Sequence, residues 1–279
     1  MCVPERLRDT WHGDEEWLAE LPQVVSDLAQ RWDLVLEEPF DTPLSLVIPA
    51  GDVVLKLNAP SHVEACHEAD ALAHWAGAGA VQLVARDDTQ HALLIERCRP
   101  GKRLWDSRAD EPAVVAALLP RLWAAPAKTR TFKLLADEAE RWADVVSGRY
   151  ERTGAPFDRI MLDYAVDAFR SVDRRAESLV NQDLHGGNVL RAMREPWLVV
   201  DPKPLVGERE ANGVALLRNA AFNGGIGLVR GWLDTLTELG LDRERLRGWG
   251  VAHALAWGWS DDGSWSRRQV EAASSIFDA

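Results

Sequence analysis

The chain reads as an α+β fold of two lobes, a small strand-rich one followed by a larger helical one. Three observations predict it. The first third holds four short β-rich runs, at 44–48, 53–57, 81–86 and 91–96, punctuated by turn residues. After Pro100-Gly101 the apolar spacing changes to that of helices. The only later strand signals, Val189-Leu190 and Trp197 to Val200, flank a polar loop rich in Asp, Asn and Gly. The change of character divides the chain into 1–98 and 99–279.

Each element follows from local pattern. Trp17, Leu21, Val24, Val25 and Leu28 share one side of a helix over 17–32. Leu44 to Ile48 and Val53 to Leu57 form a hairpin about Pro49-Ala50-Gly51-Asp52. Ala65, Ala69, Leu72 and Ala76 recur at helical spacing, and Gly77 and Gly79 end that helix. Strands at 81–86 and 91–96 turn on Asp87-Asp88-Thr89-Gln90. Helical periodicity then covers 113–123, 134–146, 160–179 and the Trp-rich stretch from 211 to the end.

Composition narrows the function. Of 279 residues 47% are hydrophobic, enough for a packed core. The formal net charge of −12 argues against nucleic acid, which needs basic patches, and suits a cationic small molecule as partner, or simply solubility. Three cysteines (Cys2, Cys66, Cys98) offer neither a disulfide framework nor a paired zinc spacing. No run reaches the roughly 20 apolar residues of a membrane span, and Met1 to Glu20 lacks the apolar core of a signal peptide. A soluble cytoplasmic protein is expected. The oligomeric state is not legible.

The chemistry concentrates in Val180-Asn181-Gln182-Asp183-Leu184-His185-Gly186-Gly187-Asn188-Val189-Leu190, followed by Trp197-Leu198-Val199-Val200-Asp201. Asn188 lies five positions after Asp183, and Asp201 closes the next apolar run. One carboxylate can serve as a base while an amide and a second carboxylate hold a hard cation. Phosphoryl transfer needs that division, because it is mostly positioning and charge neutralisation around Mg²⁺. Lys56 is also unusual: only five lysines occur, and this one interrupts the apolar strand Val53-Val54-Leu55-Lys56-Leu57. A metal-hydrolase reading of Asp183-x-His185 has no second ligand pair to support it.

Taken together these residues resemble the aminoglycoside phosphotransferase family, a branch of the protein-kinase-like fold. Asp201-Pro202-Lys203-Pro204-Leu205-Val206-Gly207-Glu208, Leu216-Leu217-Arg218-Asn219 and Leu94-Ile95-Glu96-Arg97-Cys98-Arg99-Pro100-Gly101 look like the branch of streptomycin 6-kinases and hydroxyurea phosphotransferases. The resemblance implies a nucleotide-binding first lobe, a helical second lobe carrying the catalytic loop and substrate site, and ATP and Mg²⁺ as cofactors. It makes Asp183 the catalytic carboxylate, Asn188 and Asp201 the Mg²⁺ ligands, and Lys56 the strand lysine on the α- and β-phosphates. Glu68 would hold that lysine, with Glu64 one turn earlier as the rival. Glu96 and Cys98 fall where the family places its adenine-reading hinge, and Ser45 could donate to a phosphate. Carboxylates for a cationic aminoglycoside would be Glu208, Asp261 and Asp262, with Trp257 and Trp259 able to stack on a sugar ring. Each acidic residue also fits an ordinary surface turn.

Three departures stand out. Asn181-Gln182 replaces the family's His-Gly before the catalytic Asp; Asn offers both donor and acceptor for the same support. The phosphate-covering loop, Phe40-Asp41-Thr42-Pro43-Leu44-Ser45, has no glycine. Asn212 stands where the branch carries Asp. The function implied is an ATP- and Mg²⁺-dependent small-molecule kinase that phosphorylates a hydroxyl of a streptomycin-like antibiotic and so confers resistance. The alternatives are a kinase of a metabolic sugar or amino alcohol, and a pseudokinase-like nucleotide-binding module.

Overall fold

The computed structural model describes residues 3–127, 131–259 and 263–279. The chain separates into two compact units, Met1–Lys102 with Leu190–Asp201, and Arg103–Val189 with Pro202–Ala279.

The first unit is built on one antiparallel sheet of four strands, β1 (Ser45–Ala50), β2 (Val53–Asn58), β3 (Leu83–Asp87) and β4 (Ala92–Glu96), in the order β1-β2-β4-β3. Two helices precede it, α1 (Glu5–Thr10) and α2 (Glu15–Arg31). Leu21, Val25 and Leu28 of α2, at helical spacing, join Leu7 of α1 over one face of the sheet. That face is Leu46 and Ile48, Leu55 and Leu57, Ala92 and Leu94: alternate residues of β1, β2 and β4. The two-residue period therefore sends Lys56 to the opposite face, against α3 (Glu68–Trp75).

Local chemistry sets the turns. Pro49 is tolerated inside β1 because β1 is an edge strand, and the β1–β2 turn is Gly51-Asp52 with Gly51 at φ +61°. The Asp87 side chain accepts from the Thr89 and Gln90 N–H groups at 3.0 and 3.1 Å, closing the β3–β4 turn. The helix expected from Ala65 is shorter than its periodicity suggests. Val63–Ala65 forms a single 3₁₀ turn, and α3 begins at Glu68 and ends at Ala76 and Gly77, both with positive φ.

The second unit is helical: α4 (Glu111–Leu122), α5 (Leu135–Arg152), α6 (Arg159–Arg170), α7 (Val214–Glu238), α8 (Arg243–Ala256) and α9 (Arg267–Phe277). Asp110, Asp158 and Asp242 cap α4, α6 and α8 by accepting from Ala113, Ile160 and Arg245 N–H. Helix α6 stops at Arg170, nine residues short of the expected end. Ser178–Asn181 is instead a strand, β5, paired antiparallel with β8 (Pro204–Gly207). A run as short as Leu179-Val180 fits either period, and the partner strand decides it. Between them, β6 (Val189–Arg191) pairs with β7 (Trp197–Val199).

Leu55, fully buried in the first unit, tests that core. Leu55→Ala is expected to lower unfolding free energy by about 2–5 kcal/mol in chemical denaturation; a loss below about 1 kcal/mol would contradict this packing.

Candidate active site

Lys56 is the centre of the first unit's polar chemistry. Its ammonium, buried to 5% exposure, lies 2.7 Å from each Glu68 oxygen and 2.6 Å from Asp201 Oδ1. A buried cation persists only when paired, and three carboxylate oxygens do that here. Burial alone would drive the ammonium toward neutrality, but Asp201 and Glu68 outweigh it and raise its pKa above the ordinary lysine value. Burial pushes the Glu68 carboxyl up, and Lys56 opposes that rise. Asn58 donates a further bond to Glu68 Oε2 at 3.1 Å.

Asp201 reaches Lys56 from the turn after β7. Its φ of +50° puts it in the left-handed region, a conformation that costs a non-glycine residue of order 1 kcal/mol. Val199, two residues earlier, is tied down by bonds with Gly79 and Val81 that lie on either side of the Ala80 bridge. The strained turn is therefore held on both sides, by β7 and by the ion pair.

The second unit presents the other half of the motif. Strand β5 ends at Asn181, and its side-chain oxygen accepts from the Asp183 N–H at 3.1 Å and the Lys203 N–H at 2.9 Å. Asn181 N–H in turn donates to Asn212 Oδ1 at 2.9 Å, and Asn212 Nδ2 donates to Arg209 O. The two asparagines thus brace the loop before Asp183. Asn212 keeps the acceptor that an aspartate would supply and adds a donor. Asn188 Nδ2 donates to Asp183 O at 3.1 Å and Oδ2 at 3.2 Å, which turns its amide oxygen the other way. The Asn188 amide oxygen and the Asp201 carboxylate are each, by themselves, hard donors of the kind Mg²⁺ takes.

Two residues beside this loop escaped the sequence reading. Trp105 stacks on His185, ring centres 4.6 Å apart, and donates its Nε1–H to Glu111 at 3.2 Å. Glu111 also accepts from Gly186 N–H at 3.1 Å, and burial pushes its carboxyl pKa up. A Cβ on Gly186 would meet Trp105 at 2.3 Å, so the Gly-Gly pair exists to admit these neighbours. Spacing alone carried no signal for them, because they come from a 3₁₀ turn and α4, some 70 to 80 residues upstream.

The model of a family described as aminoglycoside/hydroxyurea antibiotic resistance kinase matches residues 31–264. The chain belongs to this family. It is 34% identical over 273 residues to the streptomycin 6-kinase of Streptomyces glaucescens, covering 91% of this chain and 88% of that protein. It is 34% identical over 270 residues to the hydroxyurea phosphotransferase of Kitasatospora aureofaciens, covering 91% and 76%. Among solved structures it resembles aminoglycoside phosphotransferase APH(4)-Ia, crystallised with AMP-PNP and hygromycin B. The TM-score is 0.59 at 14% identity over 88% of this chain and 94% of that one, a likeness of fold alone. The protein is an aminoglycoside-type kinase with a protein-kinase-like α+β fold.

For this kinase the expected roles of Ser45 and Glu208 need correction. Ser45 is not placed as a phosphate donor: a hydroxyl has one proton, and Ser45 directs it to Asn58 Oδ1 at 2.6 Å, supporting Glu68 through Asn58. Glu96 donates its N–H to Gln82 O at 2.9 Å, and its carboxylate binds Arg194 at 2.9 Å. Cys98 is a half-buried thiol whose pKa burial pushes up to about 12, with Glu96 beside it.

Glu208, expected to meet a cationic substrate, is buried and already neutralised. Arg245 donates to its two oxygens at 2.7 and 3.1 Å, Trp249 at 2.9 Å, and the Asp173 N–H completes the set. Trp257 stacks on the buried His253 at 4.1 Å, and Arg149 covers the Trp259 ring at 4.2 Å, so both are packing residues. Asp261 and Asp262 lie outside the described residues, as does the side chain of Glu64. Among the described residues no cluster of three His, Cys, Asp or Glu could hold a metal, and no helix is long and apolar enough to cross a membrane.

Removing Glu208 should strand Arg245 and Trp249. Glu208→Ala is expected to cost about 3 kcal/mol of stability by thermal or urea denaturation. Wild-type stability combined with weakened substrate binding would restore the substrate role instead.

Proposed function

We propose that the protein transfers the γ-phosphate of ATP, with Mg²⁺, to a hydroxyl of a streptomycin-like aminocyclitol antibiotic, and thereby confers resistance. The observation that carries the chemistry is the buried Lys56 ammonium held by Glu68 and Asp201. A structural core gains little from burying three charges. A nucleotide site gains a fixed cation for phosphate oxygens, next to a carboxylate suited to a metal ion.

The roles follow from the groups. Lys56 neutralises phosphate charge, Glu68 holds it in place, and Asn188 and Asp201 supply hard oxygen ligands for Mg²⁺. The metal, when bound, offsets the negative charge of the phosphates. Asp183 aligns the acceptor hydroxyl and takes its proton as the acceptor oxygen bonds to the γ-phosphorus. The bond from that phosphorus to the β–γ bridging oxygen breaks, and ADP leaves with the electron pair. Alignment matters more than basicity, since a carboxylate is a weak base near neutral pH.

The acceptor class rests on the streptomycin 6-kinase relative and on the net charge of −12, which favours approach of a polycation. The complex of APH(4)-Ia with AMP-PNP supports a nucleotide donor. We assign the nucleotide side to 1–98, the acceptor side to 99–279, and the reaction to the cytoplasm, where ATP is available.

Single-turnover assays with labelled ATP, Mg²⁺ and an aminoglycoside panel should place phosphate on streptomycin. Asp183→Ala should slow that transfer by about 100-fold or more while nucleotide affinity holds. Phosphate reaching no member of the panel, or turnover surviving in the variant, would contradict the assignment.

A further inference from the structure

His185 is a residue the mechanism above leaves unused, and its surroundings fix it unusually well. Gly187 N–H donates to His185 Nδ1 at 3.1 Å, so Nδ1 carries no proton. The neutral ring must then carry its hydrogen on Nε2. Nε2 lies 3.5 Å from Asp183 Oδ1, while the other Asp183 oxygen takes the Asn188 amide at 3.2 Å. Catalytic hydrogen bonds are often long before substrate arrives and tighten afterwards. The two contacts leave Asp183 little freedom to turn about its side-chain bonds.

The imidazole is itself clamped. Trp105 stacks on it with ring planes 11° apart, and Glu111 holds the indole through Nε1. The same Glu111 binds Gly186 N–H, and Trp105 N–H donates to Gly186 O at 3.2 Å. A Cβ at Gly187 would come within 2.8 Å of both the His185 ring and Trp105, so the close approach requires glycine there. Three elements of the chain converge to hold one ring in one tautomer.

We infer that His185 is a positioning residue: a neutral Nε2–H donor, locked by Gly187, Trp105 and Glu111, that aims the Asp183 carboxylate at the acceptor hydroxyl. The inference rests on the catalytic role proposed for Asp183. A misaimed carboxylate should slow the chemical step and leave ground-state binding of either substrate nearly unchanged.

The test uses the full chain, with streptomycin and MgATP as substrates. His185→Ala should lower kcat about 100-fold with both KM values within about twofold of wild type and an unchanged Tm. His185→Gln, whose amide can donate at similar reach, should recover most of that loss. Trp105→Ala should reduce kcat in the same direction by a smaller factor. A His185→Ala kcat near wild type, a loss that falls on KM, or a Gln variant no better than Ala at equal Tm would overturn the inference. Imidazole nitrogen NMR of the wild type needs no acceptor and is read alongside. The Nε2-protonated tautomer is expected; an Nδ1-protonated or doubly protonated ring at neutral pH overturns the inference. Wild type that leaves streptomycin unphosphorylated would overturn the acceptor assignment only, and the tautomer then decides the role of His185.

Discussion

One buried ammonium organises the first unit. Lys56 belongs to a strand whose core-facing residues Leu55 and Leu57 are aliphatic, while it points with Asn58 to the opposite face, where Glu68 and Asp201 pair with it. A lysine so deeply buried, if left unpaired, would shed its proton or unfold the strand. Its partners come from α3 and from the turn after β7, a stretch that enters this unit more than a hundred residues later. The ion pair therefore fixes three separate pieces of chain at one point. It also holds Asp201 in a backbone conformation the residue would not choose alone.

Among the described residues, the bonds to the Asp183 loop of the second unit come largely from neutral groups. Asn181, Asn188 and the Gly187 N–H bond Asp183 and His185 directly, while Asn212, Trp105 and Glu111 support them from behind. Neutral amides orient a carboxylate without cancelling its charge, which a cation in the same position would do. The exchange of His-Gly for Asn181-Gln182 and of Asp for Asn212 is consistent within itself. The side-chain oxygen of Asn181 takes the loop's own N–H groups, and Asn212 takes the N–H of Asn181. Both replacements keep acceptors where the backbone needs them.

Much of this was legible in the residues. The alternation of β2 and the rarity of lysine singled out Lys56, and the spacing of Asp183, Asn188 and Asp201 named the loop and the turn. Glu68 followed only from resemblance, since helical spacing left Glu64 equally placed. Strands β5 and β8 were hidden because runs of three or four residues have no period to read, and α6 was extended across the first of them. Glu208 and Ser45 were misassigned for one reason. Their charge or hydroxyl was visible in the sequence, while Arg245 and Asn58, which occupy them, are brought near only by folding. Trp105 and Glu111 were invisible for the converse reason: their importance lies in what they touch. The return of 190–201 to the first unit left no compositional trace.

In the proposed reaction Lys56 and Asp201 act together on a metal-bound nucleotide. Calorimetric titration of AMP-PNP with and without Mg²⁺, on wild type, Lys56→Met and Asp201→Asn, measures this directly. The wild type should bind tightly only with Mg²⁺, Lys56→Met weakly in either case, and Asp201→Asn with little response to the metal. Equal wild-type affinity in the presence and absence of Mg²⁺, or full Mg²⁺-dependent binding in both variants, would contradict it.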